Sequence, residues 1–369
     1  MNPIRILNIL PKNNCKKAQV FIMNMYRNID RKNVQFDFLF QGECEGIFNE
    51  EIESLGGNIF KIQCLKEIGA YKYRKLARDF FKTHKYDIVH CYLDDFSGVI
   101  LSEAKKAGVA IRIAHMYNKI PKFNRNGYFR FSVNRNSNYK FAYSKEEGNL
   151  FFGEFEKFTL LKNVIDLDEF SYNGEIQKNI KKLLKLNNEK VIGFINKSNK
   201  EEENKKMLSL FKEIRKYHKK SKLILIANDI CKEKINNEIK KLNLDVNNIV
   251  LLEESKFLKQ DIIQVFDVMV FLDQDEMENF IIKAQENDLP CIVLGNMDDG
   301  LDLNLDLVYR FNYNENEQII AKNILEKSLL RNSVNQDYIK YKMNKQGYDL
   351  KREAKILENF YLREHKNID

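Results

Sequence analysis

The stretch IQVFDVMVFLDQDEMENFIIKAQENDLPCIVLG, residues 263–295, carries the pattern that decides the fold. Residues 268–272 form an apolar run typical of a buried strand, and residues 291–294 form a second such run. The stretch between them has a helical pattern that Asp288 and Pro290 close. The sequence therefore predicts a strand, a helix and a strand, the repeating unit of parallel sheets.

Acidic side chains crowd the loop after the first of these strands and the first turn of the helix. They are Asp273, Asp275, Glu276 and Glu278. In such a unit this loop lies at the carboxyl edge of the sheet, where nucleotides usually bind. Carboxylates there can accept hydrogen bonds from ribose hydroxyls, but they also suit a helix N-terminus, because the helix dipole favours negative charge. The pattern alone leaves both interpretations open.

Strand-like and helical runs alternate in the same way along the rest of the chain. The predicted strands are residues 4–10, 34–40, 59–62, 87–91, 110–114, 139–143 and 158–161, and then 191–195, 223–227 and 249–252. A turn-like stretch at 166–174 separates the two series, and a final helix is predicted at 350–364. This alternation indicates an α/β protein made of two doubly wound halves, each a parallel sheet with helices on both faces.

Residues 120–136 interrupt the alternation with aromatic side chains among asparagines and arginines. The pattern favours a loop and a helix packed on the sheet. An acceptor or a lipid headgroup bound by these basic and aromatic side chains is the alternative.

Composition bounds the class of protein. With 369 residues, 44% hydrophobic and 31% charged, the chain has the composition of a globular protein of two to three domains. No apolar run approaches the roughly 20 residues of a transmembrane helix, and the N-terminus has the pattern of a strand instead of a signal peptide. We therefore expect a cytoplasmic protein.

Charge and cysteine content exclude some kinds of site. The net charge of +8 is spread over the chain, so we expect no nucleic-acid binding, whereas peripheral contact with the anionic inner face of a plasma membrane remains open. The six cysteines form no C-x-x-C pair, which predicts reduced thiols and no metal site.

Several collinear stretches resemble family 4 of the GT-B glycosyltransferases, retaining enzymes that build bacterial surface polysaccharides such as capsule. They are AQVFIMNMYRNID (18–30), ESLGGNIFKI (53–62), YDIVHCYLDDFSG (86–98), IRIAHMYN (111–118), YSKEEGNLFFG (143–153), NVIDLDEF (163–170) and KAQENDLPCIV (283–293). The resemblance implies the GT-B fold, with two Rossmann-like domains facing a central cleft. It places an acceptor domain at 1–168, a nucleotide-sugar domain at 169–346, and a C-terminal helix at 347–369 that crosses back to the first domain.

The resemblance also implies roles for particular residues. His115 matches a family histidine near the sugar, and a histidine just past a predicted strand is expected to face the cleft; His90 has the same location and a weaker claim. Asp275 or Glu276 takes the place of the acid that supports the transferred sugar, and Lys197 that of an arginine that neutralises the diphosphate. The family needs no metal or other cofactor, and its substrate is a UDP- or GDP-sugar.

Three motifs depart from the family pattern. Lys16 and Lys17 replace two glycines after the first strand; as point charges these lysines can still reach a phosphate. Glu202 stands where a second diphosphate lysine is expected, so Lys200 or Lys205 would have to replace it. Lys283 replaces the acid that holds the ribose, and an ammonium group cannot accept hydrogen bonds from hydroxyls.

Two functions follow from this comparison of motifs, and an enzyme of the same fold with an unusual donor and changed ribose contacts is a third possibility. The first is a retaining hexosyltransferase that moves a sugar from the nucleotide to a polysaccharide, lipid-linked or protein acceptor, by mainly electrostatic catalysis. The second is a catalytically inactive GT-B protein that acts as a binding or regulatory partner of an active transferase, because fold alone does not establish function.

Overall fold

A computed structural model of the chain describes residues 2–11, 16–42, 47–117, 127–167, 171–196, 200–227, 232–253, 259–272 and 278–368. The chain forms two compact units. Unit 1 comprises Met1–Val164 and Gly347–Asp369, and unit 2 comprises Ile165–Gln346.

Unit 1 is built on a parallel sheet whose strands follow the order β3-β2-β1-β4-β5-β6-β7. The strands are β1 (Ile4–Leu10), β2 (Val34–Gln41), β3 (Ile59–Ile62), β4 (Ile88–Cys91), β5 (Ile111–Met116), β6 (Tyr139–Ala142) and β7 (Thr159–Leu160). The central strands are apolar on both faces because helices cover both faces of the sheet.

The helices of unit 1 divide between the two faces of its sheet. They are α1 (Lys16–Asn28), α2 (Asn49–Ser54), α3 (Leu65–Thr83), α4 (Ser97–Lys106), α5 (Gly127–Asn136), α6 (Lys145–Phe152) and the last helix of the chain, α14 (Leu350–Lys366). One hydrophobic cluster joins the sheet to α1 and α14, and another joins it to α3, α4 and α6.

Unit 2 contains a second parallel sheet with the order β10-β9-β8-β11-β12-β13 and its own hydrophobic cluster. Its strands are β8 (Lys190–Asn196), β9 (Ser221–Ala227), β10 (Ile249–Glu253), β11 (Val268–Phe271), β12 (Cys291–Leu294) and β13 (Val308–Phe311). Its helices are α7 (Gly174–Leu183), α8 (Glu201–Tyr217), α9 (Lys232–Lys241), α10 (Lys259–Ile263), α11 (Glu278–Glu286), α12 (Glu317–Lys327) and α13 (Gln336–Lys345).

Both sheets have the strand order of a doubly wound fold, as the sequence predicts. Within the described ranges, no helix combines the length and the apolar character needed to cross a membrane.

Candidate functional site

The point where the strand order reverses lies between β1 and β4 in unit 1 and between β8 and β11 in unit 2. Ligands of doubly wound sheets bind beyond the carboxyl ends of the strands at this point. In unit 2, Lys197 follows β8 in the sequence, and Asp275 and Glu276 follow β11. These three predicted site residues lie outside the described residues, but the strands that lead to them are direct neighbours.

A buried asparagine ties the carboxyl end of β8 to the helix that follows. Asn196 Nδ2 donates hydrogen bonds to Asn204 Oδ1 at 2.8 Å and to the Lys200 carbonyl oxygen at 3.3 Å. Because Asn196 is buried, these contacts satisfy its amide away from water. The start of α8 is therefore fixed against the strand.

The first turn of α8 is acidic. It contains Glu201, Glu202 and Glu203, which suit the helix dipole but would repel a diphosphate. Lys205 pairs with Glu201 at 3.1 Å, and Lys200 pairs with Glu203 at 3.4 Å. Both lysines that could replace the missing diphosphate lysine thus already contact carboxylates, while Glu202 is exposed.

On α11, Lys283 occupies the position predicted for the ribose acid. It is half-buried, and its Nζ lies 5.9 Å from the ring centroid of Phe280, one turn earlier. The buried Gln285 fixes α11 to the following loop: it donates to the Leu301 carbonyl at 2.7 Å and accepts from the Leu303 N–H at 2.9 Å. The helix is anchored, with a cation at the place where the motif predicts an anion.

In unit 1, α1 begins at the pair of lysines that replaces the two glycines. Lys17 lies exposed on the first turn of α1. The side chain of Lys16 is outside the description.

The His115 side chain is fully buried within unit 1, and its expected position facing the cleft stays a prediction. Strand β5 continues to Met116, so His115 is still part of the strand. Its side chain lies on the same face as that of Ile113, the face that α1 and α14 cover. Aromatic rings surround it at centroid distances of 4.9–5.9 Å, namely Phe21, Tyr92, Tyr117 and Phe141.

His115 is connected to the last helix through a second buried histidine. His115 Nδ1 lies 3.1 Å from His90 Nε2, and His90 Nδ1 lies 2.6 Å from the hydroxyl of Tyr361 on α14. Burial lowers the pKa of His115 to about 3 and the pKa of His90 well below its usual value, so both rings are neutral. His115 Nε2 is buried and has no hydrogen-bond partner among the described residues.

Tyr361 is not among the site residues predicted from the sequence. The available signal was a tyrosine within the apolar stripe of the last helix, because a buried phenol usually requires a hydrogen-bond partner. That pattern does not reveal which residue is the partner.

The loop after β4 holds a second feature that the motifs did not indicate. Asp94 adopts a φ of 46°, and its Oδ1 accepts a hydrogen bond from the Tyr117 N–H at 3.1 Å. Burial raises the pKa of the neighbouring Asp95. These carboxyl groups follow the carboxyl end of β4, where a carboxyl group can accept hydrogen bonds from hydroxyls.

Within the described part of the chain, His, Cys, Asp and Glu side chains form no group of three that could hold a metal ion.

No family model matches the chain. It is 26% identical to EpsF of Bacillus subtilis (strain 168), a protein with the provisional name of a glycosyltransferase, over 97% of this chain and 96% of that protein. Among solved structures, a glycosyltransferase from Rickettsia africae ESF-5 matches with a TM-score of 0.77 at 13% identity, with 100% of both chains covered. HepE of Anabaena in complex with UDP matches with a TM-score of 0.71 at 14% identity, over 97% of this chain and 99% of that one. With two doubly wound sheets and similarity along its whole length, the chain has the fold of the GT-B glycosyltransferases, as its motifs predict.

Proposed function

We propose that the protein is a glycosyltransferase that uses a UDP-sugar as donor. The observation that carries the proposal is the strand order of unit 2, because the neighbouring ends of β8 and β11 lead directly into Lys197 and the pair Asp275 and Glu276. This is the edge at which doubly wound sheets bind nucleotides. The structural relative HepE, which is solved with UDP, favours uridine over guanosine as the base.

In this proposal unit 2 holds the donor and unit 1 holds the acceptor, a glycan, a lipid-linked sugar or a protein. Lys197 neutralises the leaving diphosphate, and Asp275 or Glu276 accepts hydrogen bonds from a hexose-type sugar. Transfer proceeds with retention at the anomeric carbon, as the resemblance to family 4 implies. The domain limits 1–168, 169–346 and 347–369 belong to the same proposal.

The rival function is that of an inactive GT-B protein that partners an active transferase. The charges on the described helices of unit 2 favour it: three glutamates open α8, their neighbouring lysines pair with them, and Lys283 replaces the ribose acid on α11. Each of these features weakens binding of a nucleotide diphosphate relative to the motif. Both functions share the fold and differ in whether the donor site binds its ligand.

Binding distinguishes the two functions. Thermal unfolding with millimolar UDP, UDP-glucose, GDP and GDP-mannose should show a rise in apparent melting temperature with the uridine ligands, because a ligand selective for the folded state stabilises it. Hydrogen exchange should then show added protection at 190–204 and 268–286. Absence of any shift or protection would reject the donor site and favour the inactive partner.

Variants assign the site residues. Lys197→Ala, Asp275→Asn and Glu276→Gln should each leave the fold intact, and Lys197→Ala should weaken UDP binding about tenfold through loss of one charged contact. Lys240→Ala is the matched control, since this exposed lysine lies near the end of α9, toward the opposite, amino edge of the sheet. Equal UDP affinities for Lys197→Ala and Lys240→Ala would remove Lys197 from the site.

A further inference from the structure

A chain of hydrogen bonds runs from the last helix of the protein to His115 on β5. Tyr361 Oη lies 2.6 Å from His90 Nδ1, and His90 Nε2 lies 3.1 Å from His115 Nδ1. All three side chains are fully buried. A second hydroxyl, that of Tyr92, lies 3.4 Å from His90 Nδ1.

The direction of this chain follows from counting hydrogens. Within the described residues, His90 Nδ1 is the one hydrogen-bond partner of both the Tyr361 and the Tyr92 hydroxyl. If His90 Nδ1 carried a hydrogen, both buried hydroxyls would lack an acceptor, and each unsatisfied donor costs about 1–3 kcal/mol. If Nδ1 is an acceptor, its single lone pair takes the hydrogen of the Tyr361 hydroxyl, the nearer of the two at 2.6 Å. His90 Nδ1 therefore accepts.

The tautomers of both histidines follow from this direction. A neutral imidazole carries one hydrogen, so His90 carries it on Nε2 and donates to His115 Nδ1. His115 Nδ1 then accepts, and the hydrogen of His115 lies on Nε2. That atom is the buried nitrogen without a partner among the described residues.

We propose that Tyr361 and His90 are positioning residues that hold His115 as a hydrogen-bond donor through Nε2. An acceptor oxygen of the substrate, a hydroxyl or a phosphate oxygen, would satisfy this N–H. In this tautomer Nε2 cannot act as a general base, because it already carries a proton. The tautomer stands on the contacts alone, whereas the role of the N–H toward substrate rests on the proposed function.

Burial sets a condition on this contact. Nε2 itself exposes no surface, and His115 packs edge-to-face against Phe21 on α1 and against Tyr117. A substrate oxygen therefore reaches Nε2 only when one of the surrounding rings shifts.

Nitrogen NMR of the full chain labelled with ¹⁵N-histidine tests the tautomer directly. The chain has five histidines, and loss of signals in His90→Asn and His115→Asn assigns the two of interest. Both should show hydrogen on Nε2 and no titration between pH 5.5 and 8. Hydrogen on Nδ1 of His115 would overturn the proposal.

Removal of the hydroxyls tests the positioning role. Tyr361→Phe, alone and with Tyr92→Phe, should move His115 toward a mixture of tautomers. Tyr139→Phe is the matched control, since it removes another hydroxyl in contact with α14, the one bonded to Glu364. An unchanged His115 tautomer in the double variant would show that these tyrosines do not set it.

Kinetics tests the contact with substrate. With UDP-glucose as donor, and at a temperature well below unfolding of either variant, Tyr361→Phe should lower kcat about threefold to tenfold, as expected for loss of one neutral hydrogen bond, and Tyr139→Phe should not. An equal kcat for both variants would overturn the substrate contact. Absence of UDP binding would instead reject the proposed function, and the NMR result would still decide the tautomer.

Discussion

His115 shows how far a single residue can differ from its sequence pattern. The pattern ends the strand at Ala114, which would place His115 in the loop at the ligand-binding edge. The strand continues through Met116 because β6 pairs with it as far as that residue. An extension of two residues keeps His115 in the alternation of the strand and turns it into the core.

The buried histidines predict that unit 1 is sensitive to acid. The folded-state pKa of His115, about 3, lies below its unfolded value of about 6.5, so the unfolded chain binds more protons between these limits. Stability is therefore complete above pH 6.5 and is lost as the pH falls toward 3. Between pH 7 and pH 5, His115 alone should lower the free energy of unfolding by about 2 kcal/mol.

Native-state hydrogen exchange of peptides from β4 and β5 measures this loss. His115→Phe keeps a ring in the aromatic cluster, but this ring cannot bind a proton. From pH 7 to pH 5 the variant should therefore lose about 2 kcal/mol less stability than the unmodified chain. His218→Gln, which removes a histidine of unit 2, should behave like the unmodified chain in these peptides. If the stability of all three chains depended equally on pH, the buried His115 would not be the source of the acid sensitivity.

Asp37 on β2 is a buried carboxylate with unusually complete hydrogen bonding. It accepts from Arg5 Nε at 2.7 Å, from the Asn58 N–H at 2.7 Å and from the Tyr86 hydroxyl at 2.9 Å. Burial and the charge of Asp37 raise the pKa of Tyr86, so its hydroxyl stays protonated and donates. The carboxylate therefore holds β1, β2 and the segments before β3 and β4 together.

Asp37→Ala should lower the free energy of unfolding of unit 1 by about 3 kcal/mol, because three donors lose their shared acceptor. Asp79→Ala is the control: Asp79 is exposed and pairs with Lys82 at 3.9 Å, so its loss should change stability by less than about 0.5 kcal/mol. Urea unfolding of both variants measures the difference. A similar cost for the two would show that the Asp37 contacts contribute little.

At the scale of elements, Gly193 decides how closely β8 approaches the turn before β11. A Cβ at this position would overlap the ring of Phe266, which is fully buried. Gly193→Ala should therefore lower the stability of unit 2 by about 1–3 kcal/mol through overpacking. Adding Phe266→Leu should recover part of this loss.

Gly174→Ala serves as the control for that substitution. Its added Cβ would lie 3.6 Å from the nearest atom, the hydroxyl oxygen of Tyr172, which is an ordinary contact. Thermal unfolding should show little change for this variant. If both alanine variants are equally stable, the packing at Phe266 is not limiting.

Some elements were predictable from sequence and others were not, for identifiable reasons. Strands such as β11 and β12 match their patterns because their apolar runs are continuous and buried. Strand β13 has no such run, since it lies at the sheet edge and is only half-buried. The amphipathic pattern of α3 does not reveal that the helix begins at Leu65. Gly69, at a φ of 76°, interrupts the helix and separates its first turn from the amphipathic stretch.

The candidate site was less predictable than the fold. Alternation of apolar runs predicts Lys197 after β8 and Asp275 and Glu276 after β11, whereas the pairing of these two strands is known only from the structure. The contacts among His115, His90 and Tyr361 join residues up to 271 positions apart, and no local pattern encodes them. The pairing of Lys200 and Lys205 with glutamates is local, but a charge pattern alone does not say which partner each lysine takes.

At the scale of the whole molecule, the chain leaves unit 1 at Ile165 and returns to it at Gly347. Helix α14 buries an apolar stripe in the core of unit 1, consisting of Leu350, Ala354, Leu357 and Tyr361. Its Glu358 accepts a hydrogen bond from the Asp30 N–H at 3.0 Å. Helix α14 is therefore part of the core of unit 1, although it lies last in the sequence.

Truncation after Gln346 should unfold unit 1 and leave unit 2 folded. Each large apolar side chain of α14 contributes about 1.5–3 kcal/mol by burial, so their sum approaches the whole stability of a typical domain. Unit 2 has its own hydrophobic cluster and loses none of it. Hydrogen exchange should show loss of protection in β1 to β6 and retained protection in β8 to β12, whereas removal of residues 367–369, which follow α14, should change neither. Retained protection in β1 to β6 after the longer truncation would show that the sheet and the remaining helices hold unit 1 together without α14.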